Sequence, residues 1–137
     1  MKTDRVVFDT NTLVSAVLIG SSLPAQALDV ALAKGTLLQA EKTYAELESV
    51  LMREKFNRYI SVNARLQFLA TIAQVATFVQ VSSVVTDCRD PKDNRFLELA
   101  LDGAADLILS GDRDLLSMHP YRGIPILSAG DYLQHFG

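Results

Sequence analysis

Apolar residues fall in short runs set apart by polar or turn-forming ones, and the period of the runs changes along the chain. Arg5 to Phe8 is a compact apolar run ending on Asp9, which reads as a short strand. Asn11 to Leu18 reads as a helix, and Ser22 followed by Pro24 opens another over Ala25 to Ala33 that stops at Gly35. Thr36 to Ala40 is a second strand. From Lys42 to Arg53, apolar Tyr44, Leu47, Val50 and Leu51 recur at helical spacing with polar residues opposite. Ser61 caps a longer helix from Val62 to about Ala76, with a predicted buried stripe of Leu66, Leu69, Ile72, Ala73 and Ala76. Phe78 to Val81 is strand-like, fading toward Val85. Asp90-Pro91 starts a helix that Gly103 ends. Leu107 to Ser110 and Ile124 to Leu127 are the last strands, and Ser128-Ala129-Gly130-Asp131 has the form of a capping box before a short C-terminal helix.

About five short strands alternating with helices predict an α/β fold: one domain over residues 1–137, with a central, mainly parallel sheet flanked by helices on both faces. Composition narrows the setting. Apolar residues are 49% of the chain, yet no uncharged apolar run approaches the ~18 residues of a membrane span. The longest candidate, Phe68 to Val81, is broken by Gln74, Thr77 and Gln80. Met1-Lys2-Thr3-Asp4-Arg5 leads into the first strand without the apolar core of a signal peptide, and Cys88 has no partner for an internal disulfide. A cytoplasmic protein that does not engage a membrane is the expectation. So much apolar material in so small a chain also predicts a homodimer, through the helices at Ala25 to Ala33 and Val62 to Ala76.

The chemistry lies in the acids. Asp9 follows the first strand and Asp112 follows Leu107-Ile108-Leu109-Ser110-Gly111, so both sit at carboxyl ends of strands, where open α/β sheets bind ligands. Glu46 lies in Tyr44-Ala45-Glu46-Leu47 and Asp93 in Asp90-Pro91-Lys92-Asp93-Asn94. Singly each has a plain structural reading: Asp9 as a helix cap, Glu46 as a solvated neighbour of Lys42, Asp93 as an acid favoured by a helix dipole. Together they form a candidate site for a hard divalent cation, Mg²⁺ or Mn²⁺, which activates water and offsets charge growing on phosphate oxygens. The net charge of −3 does not exclude a phosphate substrate, because setting four of the 16 acids aside as ligands leaves fewer carboxylates than the 13 Lys and Arg.

The stretches Val7-Phe8-Asp9-Thr10-Asn11-Thr12-Leu13, Tyr44-Ala45-Glu46-Leu47, Asp90-Pro91-Lys92-Asp93-Asn94-Arg95-Phe96-Leu97-Glu98-Leu99-Ala100 and Ser110-Gly111-Asp112-Arg113-Asp114-Leu115-Leu116 cover nearly the whole chain in order. In this they resemble the PIN-domain ribonucleases, and within them the VapC-like toxins paired with antitoxins. The resemblance implies a parallel sheet with the Asp9 strand central, catalytic acids Asp9, Glu46, Asp93 and Asp112, Mg²⁺ or Mn²⁺, RNA cleavage, a homodimer, and restraint by a small antitoxin. The third motif departs from the Asp-x-x-Ile-Ala-Ala run of many such toxins, reading Asp93-Asn94-Arg95-Phe96-Leu97, which leaves Asp90 and Asp93 to be weighed as ligand. Asp93 is favoured because Leu97 and Ala100 extend from it along one helix face, and Asp90 is better placed as the cap.

In this reading Asp9 and Asp112 hold the principal cation, and Glu46 and Asp93 complete the site and orient the attacking water. Asp114 is either a further ligand or an ordinary helix-start acid. Thr10, Asn11, Asn94 and Ser110 support the ligating oxygens or the scissile phosphate. RNA runs along Arg53, Lys55 and Arg58, with Arg95 or Arg113 on phosphates. Two other classes compete. An aspartate-based phosphohydrolase also places Asp after its first strand, but wants an acid two residues on where this chain has Asn11. A noncatalytic RNA-binding or protein-interaction module needs none of the four acids.

Overall fold

The structure, a computed structural model, describes residues 4–137; Met1 to Thr3, part of the N-terminal run read as lacking a leader, lie outside them. Strands β1 (Asp4–Phe8), β2 (Gly35–Gln39), β3 (Thr77–Phe78), β4 (Leu107–Leu109) and β5 (Ile126–Leu127) form one sheet in the order β3-β2-β1-β4-β5, all neighbours parallel. The helices are α1 (Thr10–Leu18), α2 (Leu23–Lys34), α3 (Glu41–Leu51), α4 (Val62–Val75), α5 (Asn94–Asp102), α6 (Arg113–Leu116) and α7 (Ala129–Phe136). The predicted fold class is the one observed. Among the described residues no single helix is long and apolar enough to cross a membrane.

Alternation within the strands divides the core. Val6 and Phe8 of β1, with Leu37, Leu107 and Leu109, pack under α1, α2, α3, α4 and α7; Val7, Leu38 and Ile108 face the other way, against α5 and α6. Both faces of β4 and of the Val6 to Phe8 part of β1 are covered, so these stretches are apolar throughout, as a buried parallel sheet requires. From β1 the chain builds β2 and β3 on one side, then crosses to β4 on the other. The switch of direction lies between β1 and β4, where Asp9 and Ser110 stand at the carboxyl ends.

Three local expectations need correction. The third strand is only Thr77–Phe78, and the chain beyond it is irregular rather than a strand reaching Val85. Val79 N still donates to Gln39 O of β2 (2.8 Å), but farther on N–H groups find acceptors on a helix instead of a ladder: Ser82 and Ser83 donate to Asp102 Oδ2 (2.6 and 2.8 Å), Val85 to Glu98 Oε2 (2.9 Å) and Cys88 to Asn94 Oδ1 (2.9 Å). Asn94, Glu98 and Asp102 recur every four residues and so line one face of α5.

The second correction concerns α4, whose buried stripe is Arg65, Leu69 and Ile72, while Leu66 is 48% exposed and Ala73 is also outside. Arg65 takes the inner place because its guanidinium closes the end of α3, donating to Leu51 O (3.0 Å) and Arg53 O (3.2 Å) and to Asn57 Oδ1. A cation on the unpaired carbonyls of a helix end is favoured by both hydrogen bonding and the dipole. Third, the helix expected from Asp90 begins as a tight 3₁₀ turn, Pro91–Asp93, and becomes α-helical at Asn94.

Gly35 opens β2 where its backbone runs against β1. A Cβ there would lie 2.5 Å from Asp4 O. Gly35→Ala is therefore expected to destabilise the chain by about 1–3 kcal/mol, because a main-chain carbonyl cannot swing aside as a side chain does. A urea melt with unchanged midpoint would contradict that packing.

Candidate metal centre

Asp9 leaves β1 and turns at once into α1, so its side chain caps that helix: Oδ1 accepts from Thr12 N (2.8 Å) and Oδ2 from Ser110 Oγ. The carboxylate is buried, and burial pushes its pKa up while the bonds from Ser110 and Thr12 pull against it. Ser110 Oγ also accepts from Asp112 N (2.9 Å), so one hydroxyl ties the ends of β1 and β4 together. Asp112 caps α6, its Oδ1 accepting from Asp114 N (2.8 Å).

Asp93 ends the 3₁₀ turn and Asp90 caps it, accepting from Lys92 N (3.1 Å). A 3₁₀ turn brings residues three apart onto one side. Ligand oxygens of Asp90, Asp93 and Asp112 consequently lie within 4.8 Å of one another. Asp93 is buried, and its Oδ2 has no hydrogen-bond partner among the described residues. Burial first, then the hydrogen bond and charge of Asp112, and then the charges of Asp90 and Asp9, push its carboxyl up to about 7. A buried carboxylate oxygen with no partner among the described residues, set among like charges, fits a place for a cation. The donor set, carboxylates only, suits a hard divalent ion.

Glu46 projects from α3 across the same cleft, where Oε1 accepts from Thr10 Oγ1 and Oε2 pairs with Arg95 Nη1 at 3.0 Å. The four expected acids thus share one cleft of about 240 Å³ with Asn11, Val50, Arg53, Lys92 and Phe96, and Asp90 joins them. A larger cleft of about 1150 Å³ lies between α3 and the segment after β3, but of the site residues it touches only Arg95; chemistry rather than volume singles out the smaller one.

The remaining expected residues divide. Ser110 and Thr10 bond the acids as anticipated, and Asn11 lines the cleft. Asn94 lies outside the cleft lining, and its carbonyl oxygen accepts from Cys88 N. Asp114 lies outside the cleft lining, with Arg89 at 4.0 Å, and reads as a helix-start acid. Arg95 is engaged by Glu46 rather than free for phosphate, and Arg113 is exposed away from the cleft. Arg53 lines the cleft, while Lys55 and Arg58 follow on the exposed turn after α3. The sequence reading missed Lys92 in the cleft wall and, having weighed Asp90 against Asp93 as ligand, preferred it as the cap. The signal was the three-residue spacing of Asp90 and Asp93 across Pro91, which favours a tight first turn.

A charge-lined crevice at the switch point of a parallel sheet is where such folds bind ligands, and its acidic cluster is compatible with metal binding. Comparison with known proteins agrees with this architecture. An uncharacterized protein of Methanocaldococcus jannaschii is 27% identical over 116 residues, covering 83% of this chain and 74% of that protein. Residues 5–114, which span β1 through the start of α6 and include every acid of the cleft, match the PIN domain, and the chain belongs to that family.

Proposed function

We propose that this chain is a divalent-cation-dependent endoribonuclease, hydrolysing RNA phosphodiesters. The observation that carries the reading is the unpartnered buried Oδ2 of Asp93 beside Asp90 and Asp112. Those three carboxylates would hold Mg²⁺ or Mn²⁺, with Asp9 fixed beside them by Ser110 and Thr12. Bound there, the cation supplies a water of lowered pKa and positive charge for the phosphate oxygens. The protein's own part is positional. Ser110 holds Asp9 and Asp112 in register, Thr10 and Arg95 aim Glu46 into the cleft, and Glu46 takes the proton of the attacking water. Arg53 and Lys92 bind the phosphate flanks. Asp9 as a covalent nucleophile is disfavoured, since its carboxylate is buried and capped by Thr12 and Ser110, whereas that of Glu46 is partly exposed in the cleft.

Glu46→Gln keeps the bond from Thr10 but cannot take a proton, so cleavage is expected to fall by about 10² or more with little change in melting temperature. Cleavage at the wild-type rate would remove Glu46 from the mechanism.

The same reading makes the chain the toxin of a toxin–antitoxin pair acting in the cytoplasm, restrained by a small antitoxin. Support comes from the four motifs in order, and the test is growth arrest on expression, relieved by co-expressing the neighbouring small open reading frame. A homodimer belongs to this proposal. Exposed Val62, Leu66 and Val75 on α4 favour it, whereas the apolar residues expected from α2, Ala25, Ala27, Leu28 and Ala31, are spent in the chain's own core. Light scattering at micromolar concentration is expected to return twice the chain mass, and a monomer would contradict it.

A further inference from the structure

The turn that links α3 to α4 is unusual for so acidic a chain. Between Arg53 and Tyr59 it carries three cations, Arg53, Lys55 and Arg58, against one acid, Glu54. The cations alternate with aromatics: Lys55 Nζ lies 5.1 Å from the centre of the Phe56 ring and the Arg58 guanidinium 5.7 Å from that of Tyr59. Tyr59 is 68% exposed, so most of its ring faces solvent. At its other end the turn reaches the metal-centre cleft, since Arg53 lines both.

The turn is also held firmly. Arg65 is 0% exposed, and burying a guanidinium is costly unless its donors are satisfied. Here they are spent on the turn: Leu51 O, Arg53 O, Asn57 Oδ1 and, at 3.4 Å, Ser61 O. A buried charge thus fixes the backbone that displays Arg53, Lys55, Arg58 and Tyr59.

We infer that this turn is a binding platform for single-stranded RNA, with a base stacked on Tyr59 and the adjoining phosphates on Arg58, Lys55 and Arg53, leading the strand into the acidic cleft. The inference rests on the nuclease reading for the strand's destination, but not for its binding. Cations beside exposed rings are how sequence-tolerant single-strand sites are built, because every base offers a face to stack. A duplex keeps its bases stacked on each other and cannot use the ring. The strand is also the better occupant than a second copy of the chain, since a like-charged basic turn repels itself across a two-fold axis.

The test is an anisotropy titration of an end-labelled single-stranded RNA of ~12 nucleotides, and of its duplex, in chelator so that nothing is cut. Tyr59→Ala is expected to weaken single-strand binding about tenfold and duplex binding hardly at all, with Tyr59→Phe restoring wild-type affinity. In metal, Tyr59→Ala should raise KM by a similar factor and leave kcat within about twofold. Single-strand affinity unchanged in Tyr59→Ala, or lost equally for duplex, overturns the platform. A shift of Tyr59→Ala from dimer to monomer in light scattering with RNA affinity intact also overturns it, assigning the ring to a contact between copies. Tyr59-dependent binding by a wild-type chain that cuts no RNA upholds the platform and sinks the nuclease reading. Metal-dependent cutting indifferent to Tyr59 does the reverse.

Discussion

Asp93→Asn is expected to abolish metal-dependent RNA cleavage, by about 10³-fold or more, while the folded chain becomes more stable in chelator. Both effects follow from one geometry. The Asp93 carboxyl is buried against Asp112 with Oδ2 unpartnered, so its charge is a cost without a cation and a ligand with one. The amide keeps the shape, loses the charge and can donate a hydrogen bond to Asp112. Asp90→Asn should behave differently, because Asn caps a helical turn about as well as Asp. It retains the bond from Lys92 N but weakens one of three ligands, so the Mg²⁺ needed for half-maximal cleavage should rise roughly tenfold. The two variants are compared at equal protein concentration across a Mg²⁺ series. A dead Asp90→Asn beside an active Asp93→Asn would make Asp90 the principal ligand.

Without metal, the folded chain should lose stability as pH rises toward neutrality, and divalent cation should restore it. Asp93 is raised from its ordinary value of 3.8 to about 7, so between those values the folded state binds a proton that the unfolded state has released. Stability rises with pH only where the unfolded state binds more protons; here it binds fewer, and stability falls across that window. A cation removes the repulsion. At a hundredfold excess over its dissociation constant it contributes about 2.7 kcal/mol, several degrees of melting temperature for a chain of this size. Melting curves from pH 5 to pH 7.5, with chelator and with Mn²⁺, check both. Wild type should separate from Asp93→Asn as pH rises in chelator. Parallel curves, or no response to Mn²⁺, would mean that the three carboxylates do not share an ion.

Much of this fold was legible because its strands and caps speak locally. Val6-Val7-Phe8 and Leu107-Ile108-Leu109 are apolar without alternation, as strands covered on both faces must be, and Ser22, Ser61 and Ser128 accept N-terminal N–H bonds as their positions suggested. What escaped depends on contacts distant in sequence. Nothing near Arg65 signals that it will close α3, so apolar Leu66 looked the better core residue. Nothing in Ser82 to Cys88 signals that its N–H groups will be met by Asn94, Glu98 and Asp102 rather than by a neighbouring strand. At the site, the acids were recognisable by type and by their strand-end positions, but their pairing was not. That Arg95 would neutralise Glu46, and that Asp90 would stand with Asp93 and Asp112, follows from how α5 enters over β1 and β4.

The acidic cleft is expected to cut RNA when it holds a divalent cation. This is tested most directly by incubating end-labelled single-stranded RNA with wild type and with Asp112→Asn, in chelator and in millimolar Mn²⁺, and resolving the products on a denaturing gel. Internal fragments are expected from wild type in Mn²⁺ alone; fragments in chelator, or from Asp112→Asn as readily as from wild type, would overturn the metal-dependent nuclease reading.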